Sequence, residues 1–478
     1  MSFVIRDLKD EKSHALRWLT LSVGSLILAG LLSLLLVIAR IPVFAPLITD
    51  PLFFKRCLVV HVNLALSVWV YSFIALLFYV FLQDRNGSAF RKNISFFVSL
   101  AGVCFMVFSA GVPNAYPILS NYIPVIDHPF YLIGLALFFT GIFFTFFDRR
   151  LIPAKESDKT SSLSQVAVRV SVVFFIVAIE IMVVSVLNTT RDLKSDSYYE
   201  ILVWGGGHVL QFSSEAAKIA VWFFLLSSVL KQPVISGNWI RYILLLFLVP
   251  VVVALPFVLS KPTTAADYRN FFTSLMRFGV FPFVLIVLGS VVLSMLKIKK
   301  ESVTSFSFFD VRFNGFLSSA FLTILGFTFG ALIEGPNTMV PAHYHASIGA
   351  VTVSFMAFTF VVFESLGLKD SMRYSKLVGV QPFIFGIGQA VFAAGFAIAG
   401  LNGMGRKLYG SEQKVKTLSD HIGMSLMGIG GFVAILGGLI FLYFSGKAIK
   451  QIFRPYDKDK RTPEISNMKF QEEYSVSK

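Results

Sequence analysis

The sequence predicts an all-α, polytopic membrane protein with twelve transmembrane helices, and three observations carry that prediction. Of 478 residues, 55% are apolar and only 14% are charged, against about 25% charged in an ordinary soluble protein. Phenylalanine alone occurs 52 times, and the mean hydropathy is +0.74. Apolar runs of helix length recur along the whole chain, without the ten-residue alternation of an outer-membrane barrel. A soluble globule, a disordered chain and a nucleic-acid binder are excluded, so the pI near 9.7 must be explained by where the positive charges lie.

The elements follow in order. Residues 1–16 are polar and charged and read as a cytoplasmic N-terminus. The run after them, about 17–40, is too long for a signal-peptide core and shows no cleavage site, so it is read as a retained first span. A span needs about 20 apolar residues, and the next candidates are about 58–83, 94–112, 130–148, 167–189 and 200–230. The second half supplies about 239–260, 273–297, 314–334, 339–366, 376–402 and 421–446. Residues 17–446 thus form one membrane domain, and 447–478, which mix both charge signs, read as a flexible cytoplasmic tail. Twelve spans put both termini on one side, and the positive-inside rule chooses it: about 28 Lys and Arg fall on the inner side and about 11 on the outer. The net charge of +15 is mainly a topology signal.

Cys57 and Cys104 are the only cysteines, which excludes a disulfide framework and a cysteine-ligated cluster; Cys104 reads as packing. Of seven histidines, His14 reads as solvated in the N-terminus and His128 as a hydrogen-bonding loop residue before Pro129. The remaining five, His61, His208, His343, His345 and His421, each sit near the start of an even-numbered span. In the chosen orientation all five therefore lie in the outer part of the membrane. Polar groups inside spans are costly and mark function.

His343 and His345, in VPAHYHASIGAV, carry the most information. Two residues apart on an α-helix means about 200° around the axis and about 3 Å along it. They cannot easily bind one ion from one face, but suit two acceptors on opposite sides of the helix. Haem iron takes axial imidazoles, so one helix can serve two haems; the plain alternative is two histidines hydrogen-bonded to neighbouring helices.

On these residues the chain resembles subunit I of the haem–copper oxidases, a family that includes the nitric oxide reductases, over nearly its whole length. The family's tenth helix carries His-x-His, and its second carries a lone outer histidine, here His61 in CLVVHVNLALSVW. The resemblance implies a low-spin haem on His61 and His345 and a high-spin haem on His343. GPNTMVPAHYH is more similar to the nitric oxide reductase run than to the oxidase one. The sixth helix of the oxidases has Trp-x-x-Gly-His, matched here by Trp204 to His208, and that histidine would bind the second metal. GLNGMGRKLYG resembles the segment whose basic side chains hold haem propionates, here Arg406 and Lys407. Two haems of unspecified type are implied, with non-haem iron or copper as the conceivable second metal. The implied setting is a bacterial-type cytoplasmic (inner) membrane.

The resemblance is incomplete. The seventh span, NWIRYILLLFLVPVVVALPFVLS, has no histidine, whereas the family takes two ligands of the second metal there, and copper itself is thereby in doubt. Gln211, Phe212 and Glu215 share the helical face of His208, with Glu215 about 10 Å deeper. Glu215 can pass protons, pair with Lys218 or ligate a metal. Glu180 in the fifth span is a second buried-carboxylate candidate for proton transfer. Phe212 stands where many family oxidases carry a tyrosine, which argues against four-electron O2 reduction and leans toward NO, whose reduction to N2O needs two electrons. His421 reads as an outer hydrogen bond, with Asp420 as its partner. The glycines of GIGGFVAILGG and FGIGQAVFAAG read as close helix packing.

The expected function is that of a membrane respiratory haemoprotein, passing electrons from the low-spin to the high-spin haem to reduce NO or O2. No haem-attachment or copper-cluster motif occurs in the chain, so a partner subunit, cytochrome c or quinol is the expected donor. The alternatives are a non-catalytic haem sensor or assembly protein on the same scaffold, and a twelve-helix secondary transporter.

Overall fold

The computed structural model describes residues 9–38, 50, 52–82, 88–152, 162–301, 307, 309–366, 368, 376–406 and 417–452. Lys407 and the tail beyond Ile452 lie outside these residues. A backbone in lipid must satisfy its own hydrogen bonds, which apolar segments achieve by becoming helices. Twelve helices among the described residues are long and apolar enough to cross a membrane. They are α1 (Lys9–Ile38), α2 (Phe53–Phe81), α3 (Ala89–Ser109), α4 (Pro129–Phe146), α5 (Leu163–Asn188) and α6 (Ser195–Leu230). The others are α7 (Trp239–Ser260), α8 (Ala266–Ile298), α9 (Val311–Ala331), α10 (Met339–Ser365), α11 (Lys376–Leu401) and α12 (Leu418–Ile452). All twelve expected spans are present.

The most apolar stretches of α2, α6 and α10 are 83%, 89% and 83% buried, against 22–61% for the other nine. The helices that carry His61, His208, His343 and His345 are therefore the ones most enclosed by protein.

The chain divides into two compact units. The amino-terminal unit takes Leu8–Ala220 and Gly237–Val287. Here α3 and α4 meet backbone to backbone: a Cβ at Gly102 would lie 2.4 Å from the Phe138 nitrogen, and Ser99 Oγ donates to Phe138 O at 3.0 Å. Ser22 Oγ donates to Trp69 O, tying α1 to α2 at 2.8 Å; the Tyr71 hydroxyl donates to Leu210 O, tying α2 to α6 at 3.0 Å. Between α3 and α4 the chain forms a hairpin of β1 (Tyr116–Ile118) and β2 (Val125–Asp127), antiparallel with Tyr116 opposite Asp127. His128 caps α4, its Nδ1 accepting from Phe130 N at 3.3 Å, which is the loop role expected of it. Residues Leu64–Val68 of α2 and Met276–Val280 of α8 form π-helical turns.

The carboxy-terminal unit takes Val221–Ser236 and the described residues from Leu288 onward. Trp222 Nε1 donates to Ser319 Oγ at 2.8 Å, and that hydroxyl donates to Ala350 O at 2.7 Å, joining the end of α6, α9 and α10. The glycine-rich spans pack as expected. A Cβ at Gly388 would sit 2.2 Å from Ala434 N, and one at Gly430 would sit 2.2 Å from Phe392 N.

Three expectations are corrected. His14 is not solvated: α1 begins at Lys9, so the ring lies inside the helix, buried, and stacks on Tyr79 with centroids 5.9 Å apart. Cys104 is exposed on α3 rather than packed. Glu180 is exposed on α5 rather than buried, because it shares a face with Val183 and Leu187, which are exposed as well.

Candidate functional site

On α10, His343 and His345 leave the helix toward different neighbours. His343 Nδ1 lies 2.7 Å from Gly326 O on α9. A carbonyl only accepts, so Nδ1 carries the proton and Nε2 the lone pair. The ring fits because α9 has a glycine beneath it: a Cβ at Gly330 would lie 2.7 Å from His343 Nδ1. His345 turns to α11 instead, stacking on Phe396 (5.4 Å, 5°) and meeting Phe392 edge-on at 4.8 Å. Just ahead of α10, Asn337 forms a bridge with Gly405, and Thr338 N donates to Met404 O at 2.9 Å. That pairing sets half-buried Arg406 beside the start of α10, and His343 is only about 6 Å along the axis from Met339.

In the amino-terminal unit, His61 is half-buried on α2, with Nδ1 2.7 Å from Ala29 O on α1; its Nε2 likewise keeps the lone pair. His208 is buried on α6 at 3% exposure. Its Nδ1 lies 2.7 Å from Trp204 O, one turn back, and its Nε2 lies 2.8 Å from the Tyr122 hydroxyl.

Tyr122 comes from the turn of the hairpin, and sequence reasoning missed it. Gly207 makes room for it, since a Cβ there would lie 2.6 Å from the tyrosine ring. The hairpin is clamped at several points. Buried Arg56 donates from Nε to Ala110 O at 2.9 Å, from Nη1 to Ala115 O at 3.3 Å, and from Nη2 to Asp50 at 2.5 Å. Asn63 Nδ2 donates to Pro124 O at 2.7 Å, and the Tyr199 hydroxyl donates to Asp127 at 2.8 Å. Glu200 accepts from Asn121 N at 2.8 Å and from its side-chain amide. Burial, and then the nearby Glu200 carboxylate, push the Tyr122 phenol far up, so it stays protonated and donates.

The Arg56 guanidinium holds the Asp50 carboxyl below its ordinary 3.8. Its contribution is therefore whole above pH 3.8 and fades as pH falls through the lower folded value. Comparing the melting of wild type and Asp50→Asn in detergent should show a gap at pH 5 that closes toward pH 2.5. A gap independent of pH would rule this ion pair out as the cause.

The sequence model of the family described as Cytochrome C and Quinol oxidase polypeptide I matches residues 13–433. The chain belongs to this family. Two relatives, neither characterized, are a Rickettsia prowazekii protein, 26% identical over 92% of this chain and 97% of that one, and an Aquifex aeolicus protein, 27% identical over 76% and 88%. Among solved structures, a heme–copper terminal oxidase dimer superposes with a TM-score of 0.74 at 16% identity, covering 94% of this chain and 85% of that one. That likeness shows the same fold. Together with twelve apolar helices, membership makes the chain an integral membrane protein of an oxidoreductase, electron-transport family whose cofactor is haem. It also sets aside the secondary transporter, which rested on span count alone.

Haem fits the histidines of this oxidase-family chain. A metal-bound imidazole characteristically donates its other N–H to a carbonyl, and His61, His343 and His208 all do so; His208 differs in that its Nε2 meets the Tyr122 hydroxyl. The sixth helix is different below His208. Glu215 and Lys218 form an ion pair at 2.6 Å, the lysine wholly buried. Of the roles open to Glu215, this is the one its geometry displays. Phe212 is buried between Phe174 (5.2 Å) and Phe247 of α7 (5.4 Å), and Phe247 stacks on Phe283 at 3.7 Å. The span α7 contains no histidine and meets α6 here through Phe247. His421 is exposed, while Asp420 accepts from Thr417 N at 3.0 Å at the start of α12.

Proposed function

We propose that the chain is a respiratory haemoprotein in which His61 and His345 bind a low-spin haem and His343 a high-spin haem that reduces NO in preference to O2. The observation that carries this reading is the divergence of His343 toward α9 and His345 toward α11. When bound, the haems supply one-electron transfer and the reduction of a diatomic ligand; the protein orients them and excludes water. Gly326 O and Ala29 O hold two imidazoles in the tautomer that ligation requires. Arg406 offsets propionate charge at the start of α10, and Lys407 is assigned the same task by resemblance. The preference for NO rests on Phe212, which has no oxidisable hydroxyl and lies in a closed phenyl cluster. Glu215, steadied by Lys218, is the carboxylate deep in α6 that can transfer protons. Electrons come from a partner subunit, cytochrome c or quinol on the outer side, with both termini cytoplasmic.

A second reading, a haem-based sensor or assembly protein, is favoured by one observation: the Nε2 of His208 is taken by Tyr122. A reduced-minus-oxidised spectrum of the purified protein, with and without CO, tests both. The expected result is two haems per chain, one of them binding CO, with N2O formed when donor electrons and NO are supplied. No haem would overturn both readings. CO binding without N2O or O2 consumption would overturn the first and leave the second.

A further inference from the structure

We propose that Tyr122 occupies the coordination position of the family's second metal, making His208 half of a metal-free histidine–phenol pair. An imidazole has two nitrogens, and a metal needs the lone pair of one. The Nδ1 of His208 faces the Trp204 carbonyl at 2.7 Å, which has no proton to give, so Nδ1 must donate. The lone pair is then on Nε2, where the Tyr122 hydroxyl points at 2.8 Å. In the other tautomer two lone pairs would face each other at Trp204.

The rings around His208 are Tyr122 (4.6 Å), Trp204 (4.8 Å) and Phe272 (6.1 Å). One turn further along α6, the contact with α7 is Phe212 on Phe247. Among the described residues, no group of three or more His, Cys, Asp and Glu side chains gathers to hold a metal ion. The family's second metal does not fit here.

Tyr122 is placed there by construction. Its φ of +64° is a left-handed conformation that a bulky residue keeps only where its surroundings over-determine it. The surroundings do so: Glu200 grips the preceding Asn121, Asn63 holds Pro124, and Gly207 opens the gap that the ring enters. A tyrosine held this firmly acts as a fixed hydrogen-bond donor to His208, and the hairpin is locked over α6 through it.

This inference rests on the haemoprotein reading only for the identity of the missing metal, and its test reads His208 independently of haem. The full chain, purified in detergent after growth with added copper and iron, is assayed for metal per chain. Copper and non-haem iron should each be below about 0.1 per chain, with no change in His208→Gln. About one equivalent in wild type that is lost in His208→Gln would overturn the proposal. A double-mutant cycle of Tyr122→Phe and His208→Gln then reads the pair itself. The melting-temperature loss of the double variant should be clearly smaller than the sum of the two single losses; strictly additive losses would overturn it. Tyr122→Phe keeps the ring that fills the gap at Gly207, so this arm survives poor folding of more severe variants.

Discussion

Alanine at His61 or at His345 should abolish the low-spin haem signal completely, while alanine at His343 should leave it and remove CO binding. A haem held by His61 and His345 would be low-spin only with both imidazoles present, so losing either would convert the whole signal rather than a fraction of it. The geometry separates the three variants. His345 lies among Phe392 and Phe396 on the α11 side of α10, whereas His343 is held by Gly326 on the α9 side. One residue can therefore be removed with little disturbance of the other. His61 is on a different helix, and its backbone anchor at Ala29 is independent of both. Reduced-minus-oxidised spectra of the three variants, with CO added, check the assignment. Retention of the low-spin band after either the His61 or the His345 change would break the pair.

Lys218→Met should destabilise the protein by about 3–5 kcal/mol, because it leaves the Glu215 carboxylate buried beside no counter-ion. Lys218 has no exposed surface, and the charge-to-charge distance is 2.6 Å. Adding Glu215→Gln should recover most of that loss, since an uncharged pair in a dry site costs far less than one orphaned ion. Reversible unfolding in mixed micelles measures both variants. If the double variant is as unstable as Lys218→Met alone, the pair is not what Lys218 is for. If Glu215 also moves protons, Glu215→Gln alone should slow turnover by more than its stability loss explains.

The sequence made the scaffold legible because lipid imposes one rule: a run of apolar residues long enough to cross becomes a helix. All twelve spans follow from it. The divergence of His343 and His345 was legible for a similar reason, since helical periodicity alone separates them by about 200°. Glu180 was misplaced because α5 is apolar all round, and nothing in VSVVFFIVAIEIMVVSVLN tells an enclosed face from an exposed one. His14 was misplaced because helical conformation reaches back to Lys9, past the apolar run that defined the span. Tyr122 left no local trace, since its partner is 86 residues away. The one signal available was the triple glycine before His208: Gly205 accommodates Tyr268 and Phe272, Gly206 accommodates Met182, and Gly207 accommodates Tyr122. Three glycines ahead of a buried polar residue mark a helix approached closely from three directions.

The π-helical turn at Leu64–Val68 acts as a phase shifter. One residue more in a turn rotates everything beyond it by about 100°, so α2 carries two registers joined within a single rod. On one side of the joint His61 is aligned with Ala29; on the other, Trp69 O meets Ser22 and the Tyr71 hydroxyl meets Leu210. A straight α-helix could keep one of these alignments but not both. Deleting or inserting one residue between positions 61 and 69 would therefore turn one half of α2 away from its partners, whatever apolar side chains stand there.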